Sequence, residues 1–358
     1  MVIHDVIIVG AGLSGLSAAY YLEKAGIDAL LLEARERLGG RILTVAAEGN
    51  ACPVEMGATW FADKHEYLIR LLQELQLPFY EQYQQGLGVF EANSSEPPQL
   101  FELPSAAEPS YRVRGGTSKL IEALVSQVGK ERVALNCPAT KVSEHENYLE
   151  VECKDGTQLY ARHLISTVPP FLLAKGVEFT PALPEEVRRV MQQTHTWMGE
   201  ALKFGVAYAR PFWRERGYAG TLFSQTGIVQ EAYDHTDQEK TRFSLKGFLA
   251  AGASALGKKE REAQVLSHLR KLLGSEAAGY LSYTEKVWQE EKYTYAPYGQ
   301  YILRHLNNGH PLYALPLMNG RLHLSGTETS PGFGGYMDGA VYSGIIASSA
   351  VAERLKKG

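Results

Sequence analysis

The chain contains 358 residues, of which 45% are hydrophobic and 21% are charged, a composition ordinary for a globular protein large enough for two domains. The 36 basic and 40 acidic side chains leave a net charge of −4. The overall charge therefore gives no reason to expect binding to nucleic acid or to an anionic membrane. Uninterrupted apolar runs of about 18 residues, which would predict a membrane span, do not occur.

The cysteines and the first residues bear on the compartment. Cys52, Cys137 and Cys153 are odd in number and lack the spacing of a metal site or a redox pair, so they favour a reducing environment. The apolar run near the start has no basic segment before it, so we read it as a strand and not as a signal peptide. The chain is therefore expected to be cytoplasmic.

Residues 5–44 predict a strand, a helix and a second strand in succession. A short apolar run at 6–9 is typical of a buried strand, and a helical pattern from 13 to 25 stops at Gly26. A second apolar run, 29–32, ends in Glu33. This order is that of a nucleotide-binding unit.

The turn between the first strand and the helix carries the G-x-G-x-x-G pattern of Gly10, Gly12 and Gly15. These glycines permit a tight turn, a close approach by a pyrophosphate and close packing of helix on strand. The helix N-terminus offers N–H groups to phosphates, and Glu33 can accept hydrogen bonds from ribose hydroxyls. The segment therefore predicts a dinucleotide site.

A second glycine pair favours FAD over a nicotinamide dinucleotide. Residues 37–44 read R-x-G-G-R-x-x-T, which resembles the doublet-glycine extension of FAD-binding flavoproteins and is not needed for nicotinamide binding. In the segment 54–60, VEMGATW, the small residues Gly57 and Ala58 stand where a backbone can approach a flat ring.

The middle of the chain divides into three predicted parts. Residues 79–110 are rich in Pro, Asn and Ser and predict an irregular excursion, either a lid or a surface loop. A helix and a three-strand meander within 111–170 would complete the nucleotide-binding domain. A second region, 171–284, includes a strand at 201–209 in which Lys203 lies on the face of small residues.

The C-terminal segment predicts a strand at 321–324 and a long helix that ends near residue 355. Between them lies SGTETSPGFGGYMDGAVYSG, in which small residues permit close approach to a flat partner. The helix start near 335–337 can direct N–H groups and a partial positive charge at a flavin ring.

Together these segments resemble the flavin-containing amine oxidases of the monoamine and polyamine oxidase type. The resemblance rests on VGAGLSG with Glu33, RLGGR at 37–41, GATW at 57–60, LKFGVAYARPFW at 202–213 and GTET…GYMDGAVYSG at 326–344. It implies an α/β, two-domain glutathione-reductase-like fold with non-covalent FAD. The implied FAD-binding domain is 1–78, 111–170 and 285–358, and the implied substrate domain is 79–110 and 171–284.

The resemblance also implies roles for individual residues. The adenosine and pyrophosphate sites are expected at Gly10, Gly12, Gly15, Glu33, Arg35, Gly40, Arg41 and Ala139. The ribityl chain and flavin ring are expected beside Gly57, Ala58, Thr59, Glu328 and Met337. Lys203 matches the lysine that holds a water at the flavin, and Tyr336 matches one wall of an aromatic cage. Tyr298 is preferred for the other wall, with Tyr301 as the alternative.

Three departures from the family pattern matter. The residues before the two candidate tyrosines are Pro297 and Gln300, so a cysteine that attaches FAD covalently is not expected there. No arginine follows Thr59, which disfavours amino-acid substrates. Finally, residues 79–110 replace a much longer insertion, so the site is expected to be open or covered by another subunit of a homo-oligomer.

The predicted reaction is the FAD-dependent oxidation of a small-molecule amine to an imine, with oxygen reduced to hydrogen peroxide. Two alternatives stay open at this point. One is another flavin reaction on the same fold, of the protoporphyrinogen-oxidase or phytoene-desaturase type, and the other is a flavin-binding protein without turnover. No partner nucleic acid, membrane or metal is expected.

Overall fold

The structure, a computed structural model, describes residues 1–46, 52–104 and 108–357. Within these ranges the chain is a mixed α/β protein with two large sheets and two short strand pairs. The strands of the first sheet are β1 (Ile3–Val9), β2 (Ala29–Leu32), β9 (Val133–Ala134), β10 (Ala139–Glu144), β11 (Leu149–Cys153), β12 (Gln158–Ser166), β13 (Glu178–Thr180) and β19 (Leu322–Leu324).

The second sheet comes mainly from the middle of the chain. Its strands are β6 (Leu87–Glu91), β7 (Gln99–Glu102), β14 (Leu202–Tyr208), β15 (Tyr218–Ser224), β16 (Val229–Asp234), β17 (Phe243–Leu249) and β18 (Tyr280–Val287). The short pairs are β3 (Thr44–Val45) with β4 (Val54–Glu55), and β5 (Phe79–Glu81) with β8 (Tyr111–Val113).

Eight α-helices of the described chain accompany the sheets. They are α1 (Leu13–Lys24), α2 (Glu66–Glu74), α3 (Ser118–Val128), α4 (Pro170–Gly176), α5 (Glu185–Gln192), α6 (Phe212–Glu215), α7 (Lys258–Leu273) and α8 (Met337–Leu355). Among the described residues, no helix combines the length and the apolar character that a membrane crossing requires.

The centre of the first sheet is parallel and buried on both faces. Strand β1 lies between β2 and β12 and is parallel to both. Val6 and Ile8 pack on one face with α1, α2, α3 and α8, whereas Ile7 and Val9 pack on the other with α4 and α5. A parallel strand covered on both sides must be apolar at every position, which explains the unbroken run at 6–9.

The second sheet has a core of its own. Its strands follow the order β18-β14-β17-β16-β15-β6-β7, and every neighbouring pair is antiparallel except β15 and β6. Helix α7 packs on this sheet through Val265, Leu269 and Leu272, which share a cluster with Phe204 and Leu245. The apolar side chains of the amphipathic segment 260–273 thus face the antiparallel sheet, in agreement with their helical periodicity.

The excursion at 79–110 is more regular than its composition predicts. Three strands lie in it, and β6 and β7 extend the second sheet beyond β15. Pro97 and Pro98 lie between these strands and Pro104 lies after them, so the prolines mark turns and not an irregular segment. Part of the predicted lid or loop, 105–107, lies outside the described residues.

Two strands cross the expected domain limits. β13 joins the first sheet by pairing in parallel with β10, although residues 171–284 were expected in the second region. β18 continues to Val287, three residues beyond the expected limit at 284. Both differences have the same cause. The sheet to which a strand belongs depends on its pairing with distant strands, and the local sequence does not reveal that pairing.

Two of the three cysteines are paired, which the cysteine count and spacing did not predict. Cys137 and Cys153 form a disulfide whose Cα atoms are 5.6 Å apart, whereas Cys52 is free and buried. Cys153 closes β11 and lies opposite Ala139, the first residue of β10, so the antiparallel pairing brings the two sulfurs together. Residues 16 apart in sequence give no sign of this contact until the strand register is known.

Candidate functional site

A cavity of about 590 Å³ is lined by residues from both sheets. Thirteen of the sixteen predicted site residues line it: Gly10, Gly12, Glu33, Arg35, Gly40, Arg41, Gly57, Ala58, Thr59, Ala139, Lys203, Tyr336 and Met337. Gly15, Glu328 and Tyr298 do not. The segments that predict cofactor binding are thus brought to a single site although they lie more than 300 residues apart.

The β1–α1 turn forms the part of the cavity nearest the parallel strands. Gly10 has a φ of +104°, a backbone conformation that favours glycine. A Cβ on Gly15 would overlap the carbonyl oxygen of Gly10, so Gly15 serves close packing and not cofactor contact. No side chain caps the N-terminus of α1, which leaves its first N–H groups available to an anion.

Glu33 is fixed at the end of β2 by backbone donors. Its Oε2 accepts a hydrogen bond from the Ala11 N–H at 3.0 Å, and its Oε1 accepts one from the Arg35 N–H at 3.0 Å. The Arg35 side chain donates to Glu291 at 2.9 Å and to Thr294 at 2.6 Å. Since a carboxylate has about four acceptor positions, Glu33 retains the capacity to accept from a ribose.

Arg41 forms an ion pair with the buried Glu328. Two Arg41 nitrogens contact the two Glu328 oxygens at 2.5 and 2.9 Å, and Glu328 is wholly buried. Arg41 also donates to the carbonyl of Trp197 at 3.0 Å. Arg41 lines the cavity and Glu328 does not, so Glu328 acts on the site by orienting Arg41. Such a bidentate pair fixes the guanidinium in one orientation.

Lys203 projects from β14 into a buried environment. Its Nζ donates to the carbonyl of Gly57 at 2.6 Å and lies 4.8 Å from the centre of the Phe248 ring. Burial lowers the pKa of Lys203 from its ordinary value to about 8, although Glu55 and Glu231 act to raise it. The alternation of the strand predicted that Lys203 shares a face with small residues, but it did not predict that this face is buried.

The aromatic residues around Tyr336 differ from the expected cage. Tyr336 lines the cavity and stacks on His305, with ring centres 5.9 Å apart and an angle of 4°. Trp197 also lines the cavity, 6.4 Å from Tyr336. Sequence reasoning missed Trp197, although its position six residues before Lys203 placed it close to a predicted site.

Tyr298 lies away from the cavity lining. Its ring packs on Phe171 and His195, and its hydroxyl oxygen accepts a hydrogen bond from the Thr196 N–H at 3.0 Å. The alternative residue, Tyr301, is 86% exposed. The sequence gives the spacing of aromatic residues, but in a segment without regular structure it does not give the direction of their side chains. The role of Tyr298 in the cage therefore stays a prediction.

The lining fits a long, anionic and partly flat cofactor. Glycines 10, 12, 39, 40 and 57 with Ala58 provide a strip of wall almost free of side chains. Among the lining residues that the structure describes, the charged ones are Arg35, Arg41, Lys175, Lys203 and Lys292, against the one carboxylate of Glu33. A pyrophosphate is complementary to this excess of positive charge, and these features define a dinucleotide-binding protein.

Comparison with known proteins identifies the family. The sequence profile described as "Flavin containing amine oxidoreductase" matches residues 13–90 and 79–352, so the chain belongs to that family. Its cofactor is FAD and its reaction is the oxidation of an amine. The two matched segments overlap at 79–90, where the unexpected strands begin.

Individual relatives are distant in sequence but match along most of their length. The chain is 25% identical to a probable flavin-containing monoamine oxidase A of Dictyostelium discoideum, covering 99% of the chain and 98% of the relative. It is 26% identical to an amine oxidase A of Sus scrofa, covering 99% of the chain and 86% of the relative. A triple mutant of a putrescine oxidase superimposes with a TM-score of 0.83 at 25% identity, covering 99% of both chains.

The chain is shorter than these relatives. The match to the Dictyostelium protein extends over 458 positions, whereas the chain has 358 residues, so at least 100 positions have no counterpart here.

Proposed function

We propose that this chain oxidises a monoamine with an apolar substituent, and that FAD lies along the cavity. The adenosine part lies beside Glu33 and Ala139, and the flavin lies beside Gly57, Thr59 and Met337. When bound, FAD supplies the two-electron oxidation that converts the amine to an imine, and oxygen is then reduced to hydrogen peroxide. The single observation that carries the proposal is the buried Lys203 in the cavity wall, with its Nζ bonded to the carbonyl of Gly57 in the glycine strip.

Lys203 is suited to proton handling beside the flavin. A lysine with a pKa of about 8 gains or loses a proton near neutral pH, which an exposed lysine does not. Its Nζ already donates to Gly57, so it has further N–H groups for one water molecule. We expect Lys203 to hold that water and to leave carbon–hydrogen cleavage to the cofactor.

The walls around Lys203 favour an apolar monoamine. Trp60, Phe248 and Tyr336 line the cavity, and their rings provide apolar surface on which a substituent of the amine can pack. Glu33 is the one carboxylate among the described lining residues, and it belongs to the adenosine part. The distal ammonium of a diamine would therefore be buried without a partner, at a cost in free energy.

The arrangement of domains is part of the proposal. The glutathione-reductase-like division would assign 1–78, 111–170 and 285–358 to FAD and the remainder to the substrate. Separate hydrophobic cores on the two sheets support such a division. The ion pair of Arg35 with Glu291 and the bond from the Trp288 indole to the Met56 carbonyl tie the later segment to the first.

Non-covalent FAD is supported by the positions of the cysteines. Cys137 and Cys153 are joined to each other, and Cys52 lies against the carbonyl of His235 and does not line the cavity. Denaturation and ultrafiltration should therefore release all the yellow colour into the filtrate. Colour retained with the polypeptide would contradict this part of the proposal.

Steady-state assays of hydrogen peroxide with a panel of amines test the substrate class. Benzylamine and tyramine should be oxidised with a kcat/KM at least about tenfold above that for putrescine, because an unpaired ammonium disfavours the diamine. A higher kcat/KM for putrescine would overturn the assignment of a monoamine. A coloured protein inert towards every amine would contradict the oxidase itself and favour a non-catalytic flavoprotein or another flavin reaction.

A further inference from the structure

A second lysine, Lys246, lies beside Lys203 and has no role in the reaction described so far. Lys246 belongs to β17 and is completely buried. It pairs with Gly205 on β14, two residues from Lys203, so both lysines project from the same face of the second sheet. Lys246 Nζ lies 4.3 Å from the centre of the Trp60 ring, which is part of the cavity wall.

A continuous chain of hydrogen bonds links the two lysines. Lys246 Nζ donates to the Thr59 hydroxyl oxygen, and that hydroxyl donates to the carbonyl of Gly57 at 3.2 Å. The same carbonyl accepts from Lys203 Nζ at 2.6 Å. Each side chain in the chain is at least 95% buried. Water therefore does not compete with these bonds, and a change at one end alters the acceptor used at the other.

Lys246 is expensive to bury, which argues for a role in the site. Burial lowers the pKa of Lys246 well below its ordinary value, and the charge of Lys203 lowers it further, so the uncharged amine is favoured. Glu55 and Glu231 oppose this shift, and Arg112 adds to it. An apolar side chain would fill the same place without loss of solvation, so stability alone does not account for a lysine there.

We propose that Lys246 is a positioning residue of the amine-oxidising site. It holds the Thr59 hydroxyl against the Gly57 carbonyl and, through that shared acceptor, fixes where Lys203 Nζ lies beside the flavin. This inference rests on the proposed role of Lys203. It does not require Lys246 to contact the cofactor or the amine.

The test compares four variants of the FAD-loaded protein: Lys246→Met, Thr59→Val, their combination and Thr59→Ser. Two quantities are measured, the visible absorption spectrum of the bound flavin without substrate and the limiting rate of its anaerobic reduction by benzylamine. Lys271→Met serves as the control, because Lys271 pairs with Glu91 outside the cavity.

Lys246→Met and Thr59→Val should displace the flavin absorption maximum alike and slow the limiting rate about tenfold, with little change in the apparent amine Kd. The double variant should be no slower than the slower single variant, because both act in one chain of bonds. Lys271→Met should keep the wild-type spectrum and rate. Thr59→Ser, which retains a hydroxyl at this position, should be slowed less than Thr59→Val.

Wild-type spectra and rates in both Lys246→Met and Thr59→Val would overturn the inference, and so would losses that multiply in the double variant. If Lys246→Met does not retain FAD, the comparison of Thr59→Val with Thr59→Ser decides, since equal rates would contradict the chain. Failure of the proposed function is separate, because in that case the wild-type flavin itself is not reduced by any amine.

Discussion

The two parts of the cavity are built from different chemical groups. The part beside the first sheet is formed mainly by backbone and glycines, together with Arg35, Arg41 and Glu33. The Glu33 oxygens are fixed by the N–H groups of Ala11 and Arg35. The part beside the second sheet is lined by Lys203, Phe248 and Trp60, and the buried Lys246 packs against the Trp60 ring. The first part can recognise a nucleotide by shape and hydrogen bonds, whereas the second has functional groups that can move a proton.

This difference has consequences for substitution. In the first part, a side chain introduced at a glycine would block the contact between the backbone and the cofactor. Substitutions of these glycines should therefore abolish cofactor binding. Buried amines in the second part are costly to the fold, so their replacement should slow the reaction without loss of stability.

Gly15→Val should abolish FAD binding, because its Cβ would overlap the Gly10 carbonyl and displace α1 from the turn. The measurement is FAD content after purification together with thermal unfolding. Gly252→Ala is the matched control, since a Cβ there meets no atom within 4 Å, and it should bind FAD normally. A yellow Gly15→Val protein would refute the close approach of helix and strand.

Lys203→Met should retain FAD but slow flavin reduction or reoxidation on the order of 10²-fold, the range expected for loss of a proton-handling group. Because burial lowers the pKa of Lys203 to about 8, the charged form is disfavoured in the fold. Removing it should therefore leave the midpoint of thermal unfolding unchanged or higher. Lys119→Met, which removes an exposed lysine of α3, provides the comparison, and equal rates in the two variants would exclude Lys203 from the reaction.

Tyr336→Leu and Tyr298→Leu should differ in activity. Tyr336 lines the cavity, so its loss should lower kcat/KM for benzylamine about tenfold. Tyr298 packs outside the lining, so its loss should cost stability and change kcat/KM less than about threefold. An equal loss of kcat/KM would show that Tyr298 reaches the amine when FAD is bound.

Glu91→Gln should lower stability at neutral pH and leave activity intact. Burial raises the pKa of Glu91, but hydrogen bonds from Lys271, Ser224 and His268 outweigh it and hold the pKa at about 2. The stabilisation, on the order of 2 kcal/mol, is present above the unfolded pKa near 4.5 and is lost as the pH falls towards 2. Denaturant unfolding of both proteins between pH 7 and 3 should show the difference shrink, and a constant difference would contradict the assignment.

The sequence predicts the first part of the site much better than the second. The strand at 29–32 agrees with the structure residue for residue, and the helix that follows Gly12 ends one residue before the predicted end. The G-x-G-x-x-G turn and the acid at the end of the second strand belong to one local strand–helix–strand unit. Their positions in the sequence therefore predict where they lie in the fold. Strand alternation also predicted that Lys203 lies on the face of small residues, whereas its role at the flavin was implied only by the family resemblance.

What the sequence did not predict depends on contacts between distant segments. Lys246 acquires its role only because β17 pairs with β14, and the Cys137–Cys153 disulfide requires the register of β10 and β11. The strands β6 and β7 were not predicted, because the nearby prolines indicated an irregular segment. Tyr298 lies in a segment without regular structure, where spacing does not determine direction.

Anaerobic mixing of the FAD-loaded protein with benzylamine tests the central claim, that the glycine-lined part and the Lys203 part of this cavity together oxidise an amine. The account predicts loss of the visible absorption band of oxidised flavin in a single turnover, its return when oxygen is admitted, and a slowing on the order of 10²-fold in Lys203→Met. An unchanged band with benzylamine, tyramine and putrescine alike would contradict it.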